Sequence, residues 1–342
     1  MSWEVITPFL QPLEELIRNP EISEILVNGP SRVFVESDGE LREMPGLSVT
    51  EKCLQIAVRN IARVLGDDVN PERPLLDARL PDGSRVAAVL PPCAVNGTAL
   101  AIRKFDGRRY TPQDLVRLGT LSEDGLSVLQ RAVEARQNIL ISGGAGTGKT
   151  TLLNALASFI AANERVVVIE DTSELELKSA NLVRLEARRE QPGVPAVTIR
   201  DLVKATLRLR PDRILLGEIR SGEAYDLLVA LNTGHEGSLS TLHANTAAKV
   251  LTRFTTCVLQ AGVELPYKAV RSNIAEAVHL LVHIERRRGK RLVSEMLAVK
   301  SYDPELDRYE LEPVYQARPW SPMTSQPTCE TVSRRTIGLR SF

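Results

Sequence analysis

One stretch sets the organisation of this 342-residue chain: Asn138-Ile139-Leu140-Ile141-Ser142-Gly143-Gly144-Ala145-Gly146-Thr147-Gly148-Lys149-Thr150-Thr151. Its first five residues are an apolar run that predicts a buried strand, and residues 152–157 predict a helix. Between them, residues 143–150 fit the phosphate-loop pattern G-x-x-x-x-G-K-[ST] in the strand–turn–helix context that such a loop requires. The sequence therefore predicts a nucleoside triphosphate site at this turn.

The residue types in the loop each have a role in binding phosphate. Glycines allow backbone N–H groups to converge on phosphate oxygens, and the following helix presents its positive dipole end to the same anion. Lys149 is expected to reach the β- and γ-phosphates, and Thr150 is expected to offer its hydroxyl to Mg²⁺. We expect the nucleotide to be bound by the whole loop: Gly143, Gly144, Ala145, Gly146, Thr147, Gly148, Lys149, Thr150 and Thr151.

Composition narrows the class of protein. A hydrophobic fraction of 43% and a charged fraction of 25% are typical of a soluble globular protein. Lys+Arg and Asp+Glu both number 43, and this neutral balance, with only 4% aromatic residues, argues against nucleic acid as an obligatory partner. The sequence shows neither a transmembrane run nor a signal peptide, so we expect a cytoplasmic protein.

The cysteines predict neither a metal site nor a disulfide framework. Cys53, Cys93, Cys257 and Cys329 are scattered and form no C-x-x-C pair. A zinc site needs paired ligand spacing, and disulfides are unusual in the cytoplasm. We therefore expect free thiols and no zinc.

Local patterns divide the chain into two domains and a tail. Helical periodicity over residues 8–19 and 50–65, with six short strand patterns, predicts an α+β domain first. Later residues alternate strands and helices, which predicts a mostly parallel sheet, and Thr111 or Ser122 is expected to cap its first helices. The predicted segments are an α+β N-terminal domain (1–105), a linker (106–112), an α/β phosphate-loop domain (113–315) and a disordered tail rich in Pro, Ser, Thr and Arg (316–342).

Carboxylates follow two predicted central strands. The expected central strands are 138–142, 165–170, 213–217 and 238–243, and ligands bind at the carboxyl ends of such strands. Glu170 or Glu174 is predicted to orient and deprotonate the attacking water. Glu218 stands where a Walker B strand usually carries the Asp that holds Mg²⁺, so we assign it to the metal.

Two of the four histidines flank the last of these strands. His243 is predicted to sense the γ-phosphate, and His235 either acts similarly or braces the site. A zinc pair is disfavoured because the H-x-x-x-H spacing is missing. An arginine finger can come from a neighbouring subunit, and the candidates left open are Arg85, Arg103, Arg188, Arg208, Arg210 and Arg220.

Together these motifs resemble the secretion-superfamily ATPases, which drive type II and type IV secretion and type IV pilus assembly. The matching segments are the Walker A (143–151), Asp box (169–172), Walker B (209–220) and His box (233–245). Residues 25–30, 77–85 and 232–238 are similar to the CpaF/TadA branch of tight-adherence (Flp) pilus systems. Conjugation and type IV secretion ATPases of the TrbB type are close relatives of that branch.

The resemblance implies a RecA-like ATPase domain that uses ATP and Mg²⁺ in a homohexameric ring. Nucleotide would lie between the two domains, with Arg103 approaching it from the N-terminal side. The ring would push an inner-membrane platform protein from the cytoplasmic face. The four-cysteine zinc module of larger type II members is absent, which favours the compact branch.

Two other classes of function stay open beside this motor. A nucleic-acid translocase is disfavoured by the neutral charge and the scarcity of aromatic residues. A nucleotide switch that does not hydrolyse would have no use for Glu170 and Glu218 at strand ends, so we expect both carboxylates to be needed for secretion.

Overall fold

A computed structural model describes residues 7–37, 39–105, 109–191, 193–287 and 289–317. The described residues cluster into two compact units. The first comprises residues up to 105 together with the segment Glu190–Ala196, and the second comprises Arg109–Arg189 and the residues from Val197 onward. The segment Glu190–Ala196 thus groups with the first unit, whereas the sequence assigned it to the second domain.

The first unit is an antiparallel sheet with one long helix packed on it. Its strands pair in the order β3-β2-β1-β6-β5-β4. Leu54, Val58 and Ile61 of the long helix α2 are fully buried in the same core as Ile25 and Val27 of the sheet. The bounds are α1 Glu14–Arg18, α2 Glu51–Val64, β1 Ile22–Asn28, β2 Val33–Ser37, β3 Glu40–Glu43, β4 Leu75–Arg79, β5 Arg85–Val89 and β6 Ala99–Arg103.

The helix predicted over residues 8–19 is wrong in extent. The chain instead forms two 3₁₀ turns, Thr7–Phe9 and Gln11–Leu13, before α1 begins at Glu14. Pro12 lies inside the predicted helix, and a proline there removes a backbone donor and clashes with the preceding turn. Leu10 and Leu13 are nevertheless fully buried, so the apolar pattern was read correctly.

The second unit is built on a sheet in the order β14-β13-β12-β7-β11-β10-β8-β9. The strands from β12 to β9 pair in parallel, and β13 and β14 add antiparallel pairs at one edge, which confirms a mostly parallel sheet. The bounds are β7 Ile139–Ser142, β8 Val166–Glu170, β9 Leu182–Glu186, β10 Arg213–Ile219, β11 Leu239–Leu242, β12 Leu280–Arg287, β13 Lys290–Asp303 and β14 Arg308–Gln316.

Helices cover both faces of this sheet. On β7, Ile139 and Ile141 belong to one buried cluster and Leu140 to the other, as alternation along a strand requires. The central strands are therefore apolar on both sides, the pattern that made them recognisable. Helices α3 to α5 lie on the first side and α6 to α9 on the second; their bounds are α3 Pro112–Arg117, α4 Glu123–Glu134, α5 Lys149–Ala157, α6 Ile199–Thr206, α7 Glu223–Leu231, α8 Val250–Leu259 and α9 Tyr267–Ala277.

The predicted caps are confirmed at both first helices of this unit. The Thr111 side chain accepts from the amide of Asp114, and the Ser122 side chain accepts from the amide of Gly125. Helix α3 therefore begins at Pro112, which the sequence had assigned to the linker, because proline is favoured at the first helical position. Linker residues 106–108 lie outside the described residues.

The predicted tail starts too early. Gln316 is the last residue of β14, and the amide of Ala317 donates to the carbonyl of Ser294 at 2.9 Å. Tyr315, 3% exposed, anchors this end of the strand in the core. The rest of the predicted tail, including Cys329, lies outside the described residues.

Two further observations concern the cysteines and the possibility of a membrane-spanning helix. Cys53, Cys93 and Cys257 are free thiols. Among the helices that the structure describes, none has the length and apolar character needed to cross a bilayer.

Candidate nucleotide site

The phosphate loop connects β7 to α5, and its lysine folds back into it. Lys149 Nζ donates to the carbonyls of Gly143 at 3.2 Å and Gly144 at 2.8 Å, and the residue is 8% exposed. Thr147 Oγ1 donates to the same Gly144 carbonyl at 3.0 Å. The loop therefore holds a positive charge at its centre.

The start of α5 fits an anion. Gly148 stands at the N-cap with φ 96°, a left-handed conformation that favours glycine, and no side chain caps the helix. The first amides of an α-helix have no partner within the helix and carry its positive dipole end. Thr150 and Thr151 lie in this first turn and are half-buried. These donors suit the phosphates of a nucleotide.

The structure brings Glu218, His243 and Arg220 together at the carboxyl edge of the sheet. Strands β7, β11, β10 and β8 run in parallel as neighbours, so their carboxyl ends share the edge that carries the loop. Glu218 Oε1 lies 2.5 Å from His243 Nε2, and Glu218 Oε2 accepts from Arg220 Nε at 2.6 Å. Arg220 Nη1 also donates to Asp171 at 3.0 Å. Residues from three predicted motifs thus form one network.

The surroundings of His243 favour its neutral form. Burial lowers the pKa of His243, the charge of Lys149 lowers it further, and the carboxylate of Glu218 only partly opposes them. A neutral imidazole donates from one nitrogen only, so the bond to Glu218 fixes the proton on Nε2 and leaves Nδ1 as an acceptor. The effect of Lys149 on this pKa also links the histidine electrostatically to the phosphate loop.

Glu170 ends β8 as a buried carboxylate, 3% exposed. Its Oε1 accepts from the amides of Glu174 at 2.9 Å and Leu175 at 3.0 Å, and burial raises its pKa despite these bonds. Glu170 therefore holds the turn that carries Asp171 and the half-buried Glu174. The choice between Glu170 and Glu174 for water activation stays a prediction.

Two residues that the sequence did not single out support the same turn. Asn154 of α5 accepts the amide of Glu176 at 3.0 Å, and Arg184 of β9 donates to the carbonyl of Leu175 at 2.7 Å. Leu175 is fully buried in the core and anchors the turn there. No motif marks these contacts, because each depends on strand and helix packing.

His235 does not join the network around Glu218. His235 precedes the amino-terminal end of β11, whereas the network lies at the carboxyl ends of the parallel strands. Its Nδ1 lies 3.1 Å from the carbonyl of Ala230. It therefore braces the turn after α7.

Arg103 ends β6 of the first unit, where its Nε lies 3.6 Å from Glu24 Oε1 and its side chain is 59% exposed. Its predicted role in nucleotide binding stays a prediction.

Among the other candidate arginines, Arg85 lies on β5 as the cross-strand partner of Arg103, and Arg188 pairs through its backbone with Val197. Arg208 and Arg210 lie on the exposed turn after α6.

Sequence reasoning also missed His283, which contacts the end of β7, and Arg291, which contacts the loop. Ser142 Oγ lies 2.9 Å from His283 Nδ1, and Arg291 Nε donates to the carbonyl of Gly146 at 3.3 Å. The only sequence signal is the basic run over residues 286–291, and such a run is usually a solvated turn.

Comparison with known proteins places this arrangement in a family. The family described as type II/IV secretion system protein matches residues 9–314. Conjugal transfer protein TrbB of Rhizobium radiobacter is 36% identical over 285 residues, covering 82% of this chain and 84% of that protein. Type IV secretion system protein PtlH of Bordetella pertussis is 37% identical over 307 residues, covering 82% of this chain and 90% of that protein.

A solved structure supports the fold. The pilus retraction motor PilT with bound ADP superimposes with a TM-score of 0.59 at 20% identity, covering 89% of this chain and 85% of that one. The phosphate loop and the network around Glu218 both lie within the family match over residues 9–314. The chain belongs to the type II/IV secretion system protein family.

Proposed function

We propose that this chain is an Mg²⁺-dependent ATPase that powers a pilus-assembly or secretion machine. The observation that carries the proposal is the network at the carboxyl edge of the sheet, where Glu218 bonds His243 beside a loop centred on Lys149. Membership of the secretion family supports ATP as the nucleotide.

The residues divide the work between binding and hydrolysis. The loop amides and Lys149 would hold the phosphates, and Thr150 and Glu218 would hold Mg²⁺, which neutralises phosphate charge when bound. Glu170 or Glu174 would orient the attacking water and accept its proton. A base works best with a pKa near the working pH, and burial moves the pKa of Glu170 in that direction. Neutral His243 would signal the state of the γ-phosphate through Glu218.

The system served is a separate part of the proposal. The segments 25–30, 77–85 and 232–238 favour tight-adherence pilus assembly. Relatives named for conjugal transfer and type IV secretion, at 36% and 37% identity, favour a traffic ATPase of the TrbB type as the second candidate. In either system we infer a homohexamer at the cytoplasmic face of the inner membrane, acting on platform proteins. We infer no obligatory nucleic acid and no zinc.

ATP turnover by purified protein tests the enzymatic part. With ATP and Mg²⁺ we expect phosphate release that Lys149→Ala abolishes, because the central cation of the loop is lost. Lys300→Ala, which removes an exposed lysine of β13, should keep parental activity. Turnover that is unaffected by Lys149→Ala would overturn the proposal.

Co-purification from native membranes tests the system. A pilus platform protein recovered with the chain favours pilus assembly, and a conjugation or type IV secretion component favours the second candidate. Hydrolysis that requires added DNA would point instead to a nucleic-acid translocase.

A further inference from the structure

The hairpin formed by β12 and β13 packs directly against the phosphate loop. A Cβ atom at Gly143 would lie 2.2 Å from the carbonyl oxygen of Ile284, and one at Gly148 would lie 3.1 Å from Arg291 Cδ and 3.7 Å from Ile284 Cδ1. Both glycines of the loop pattern therefore leave room for this hairpin. The hairpin is a wall of the nucleotide site.

Arg291 brings a second cation to that wall. Its stem lies along Gly148, its Nε donates to the Gly146 carbonyl at 3.3 Å, and the residue is exposed. Lys149 makes the same kind of contact with the carbonyls of Gly143 and Gly144. A neutral carbonyl is a weaker partner for a cation than an anionic oxygen, so Arg291 would gain by exchanging the Gly146 carbonyl for an anionic oxygen.

The strand register adds a second arginine on the same face. Arg286 is the cross-strand partner of Arg291, and Ile284 with Val293 forms the next pair on that face. Ile284 and Val293 belong to the buried cluster that includes α5, so this face is turned toward the loop helix. Like charges directly opposite each other destabilise a hairpin. An anion bound beside the pair would remove that penalty.

We propose that Arg291 is a nucleotide-binding residue that exchanges the Gly146 carbonyl for the phosphate chain of the nucleotide, with Arg286 strengthening the positive field. This inference rests on the proposed function, since it requires a nucleotide in the loop. It assigns the hairpin a ligand class, the polyphosphate of a nucleoside triphosphate. Guanidinium groups suit that class because their donors form a planar fork that matches phosphate oxygens.

Three variants of the full-length protein separate charge from packing. Arg291→Met keeps an apolar stem on Gly148 and loses the charge, and Arg291→Lys keeps the charge. Lys290→Met removes one charge from the adjacent, exposed residue, which points to the other face of the hairpin. The affinity for ATP with Mg²⁺ is measured by isothermal titration calorimetry at low and high salt.

We expect Arg291→Met to raise the dissociation constant about 10- to 100-fold, the usual loss for a hydrogen bond to a charged group. The salt dependence of binding should also weaken. Arg291→Lys should recover part of the loss, and Lys290→Met should bind like the parent protein.

Equal affinities of Arg291→Met and the parent would overturn the inference, and so would equal losses in Arg291→Met and Arg291→Lys, which would mark Arg291 as loop support only. The proposed function is judged separately by Lys149→Ala in the same assay. Parental binding with that variant would remove the phosphate loop as the nucleotide site, and the inference with it.

Discussion

Glu170 illustrates how one residue can have a place that the sequence predicts and a state that it does not. Its position after four apolar residues predicted a carboxylate at the edge of the sheet. Its burial and its two bonds to the amides of Glu174 and Leu175 depend on how the turn folds back onto the strand. Desolvation dominates over those bonds, so its pKa is raised.

We expect Glu170→Gln to change the pH dependence of stability. Because the folded-state pKa of Glu170 is raised, its contribution to stability is complete below the ordinary Glu pKa and is lost as the pH rises through the folded value. Glutamine keeps an acceptor for the two amides and does not titrate. The unfolding free energy of Glu170→Gln relative to the parent should therefore rise as the pH increases from the ordinary Glu pKa through the raised folded-state value. Urea denaturation at a series of pH values measures it, and a constant difference would contradict the raised pKa.

In the sheet of the second unit, four strands that are buried on both faces were predicted, whereas the buried strand β12 and the edge strands were not. Strands β7, β8, β10 and β11 are short apolar runs, and each was predicted within two residues of its bounds. Strand β13 was not assigned, because its pairing shifts between Met296 and Leu297 and again between Val299 and Ser301, which interrupts the alternation of apolar residues. The contact of Arg291 with the loop follows from this pairing, so no local pattern could have revealed it.

A buried ion network stabilises the same sheet at the amino-terminal ends of its parallel strands. Arg213, 2% exposed, donates to both carboxylate oxygens of Glu164 at 2.6 and 2.9 Å, and Arg136 donates to Glu164 Oε2 at 2.6 Å. These bonds lower the pKa of Glu164, with the Arg213 hydrogen bond as the main cause. They join the loops that precede β7, β8 and β10.

Removing the shared carboxylate should destabilise this end of the sheet strongly. We expect Glu164→Ala to cost about 3–5 kcal/mol of unfolding free energy, because it leaves the buried Arg213 charge without its partner. Glu312→Ala is the matched control, since Glu312 pairs with Lys300 and both are about half exposed. It should cost far less, as exposed ion pairs do. Similar losses in the two variants, measured by urea denaturation, would show that the Glu164 network adds no more than a surface pair.

At the scale of the whole molecule, the proposed motor requires more than one chain. A phosphoryl transition state gains from an arginine supplied in addition to the loop lysine, and such a finger can come from a neighbouring subunit. Within the second unit, Arg220 is the candidate whose described contacts join the carboxylate network, and it is already bonded to Glu218 and Asp171. Arg208 and Arg210 lie exposed on the turn after α6, available to a neighbouring chain.

Mixing active and inactive chains therefore tests the ring. Parent and Lys149→Ala chains are co-expressed with different tags, and the mixed assemblies are isolated through both tags. If each site depends on its neighbours, phosphate release per parent chain should fall below that of assemblies made from parent chains alone. Doping with Lys300→Ala chains controls for tagging and should leave the activity per chain unchanged. Activity that follows the number of parent chains in simple proportion would mean that every chain hydrolyses ATP independently, and the coupled ring would have to be abandoned.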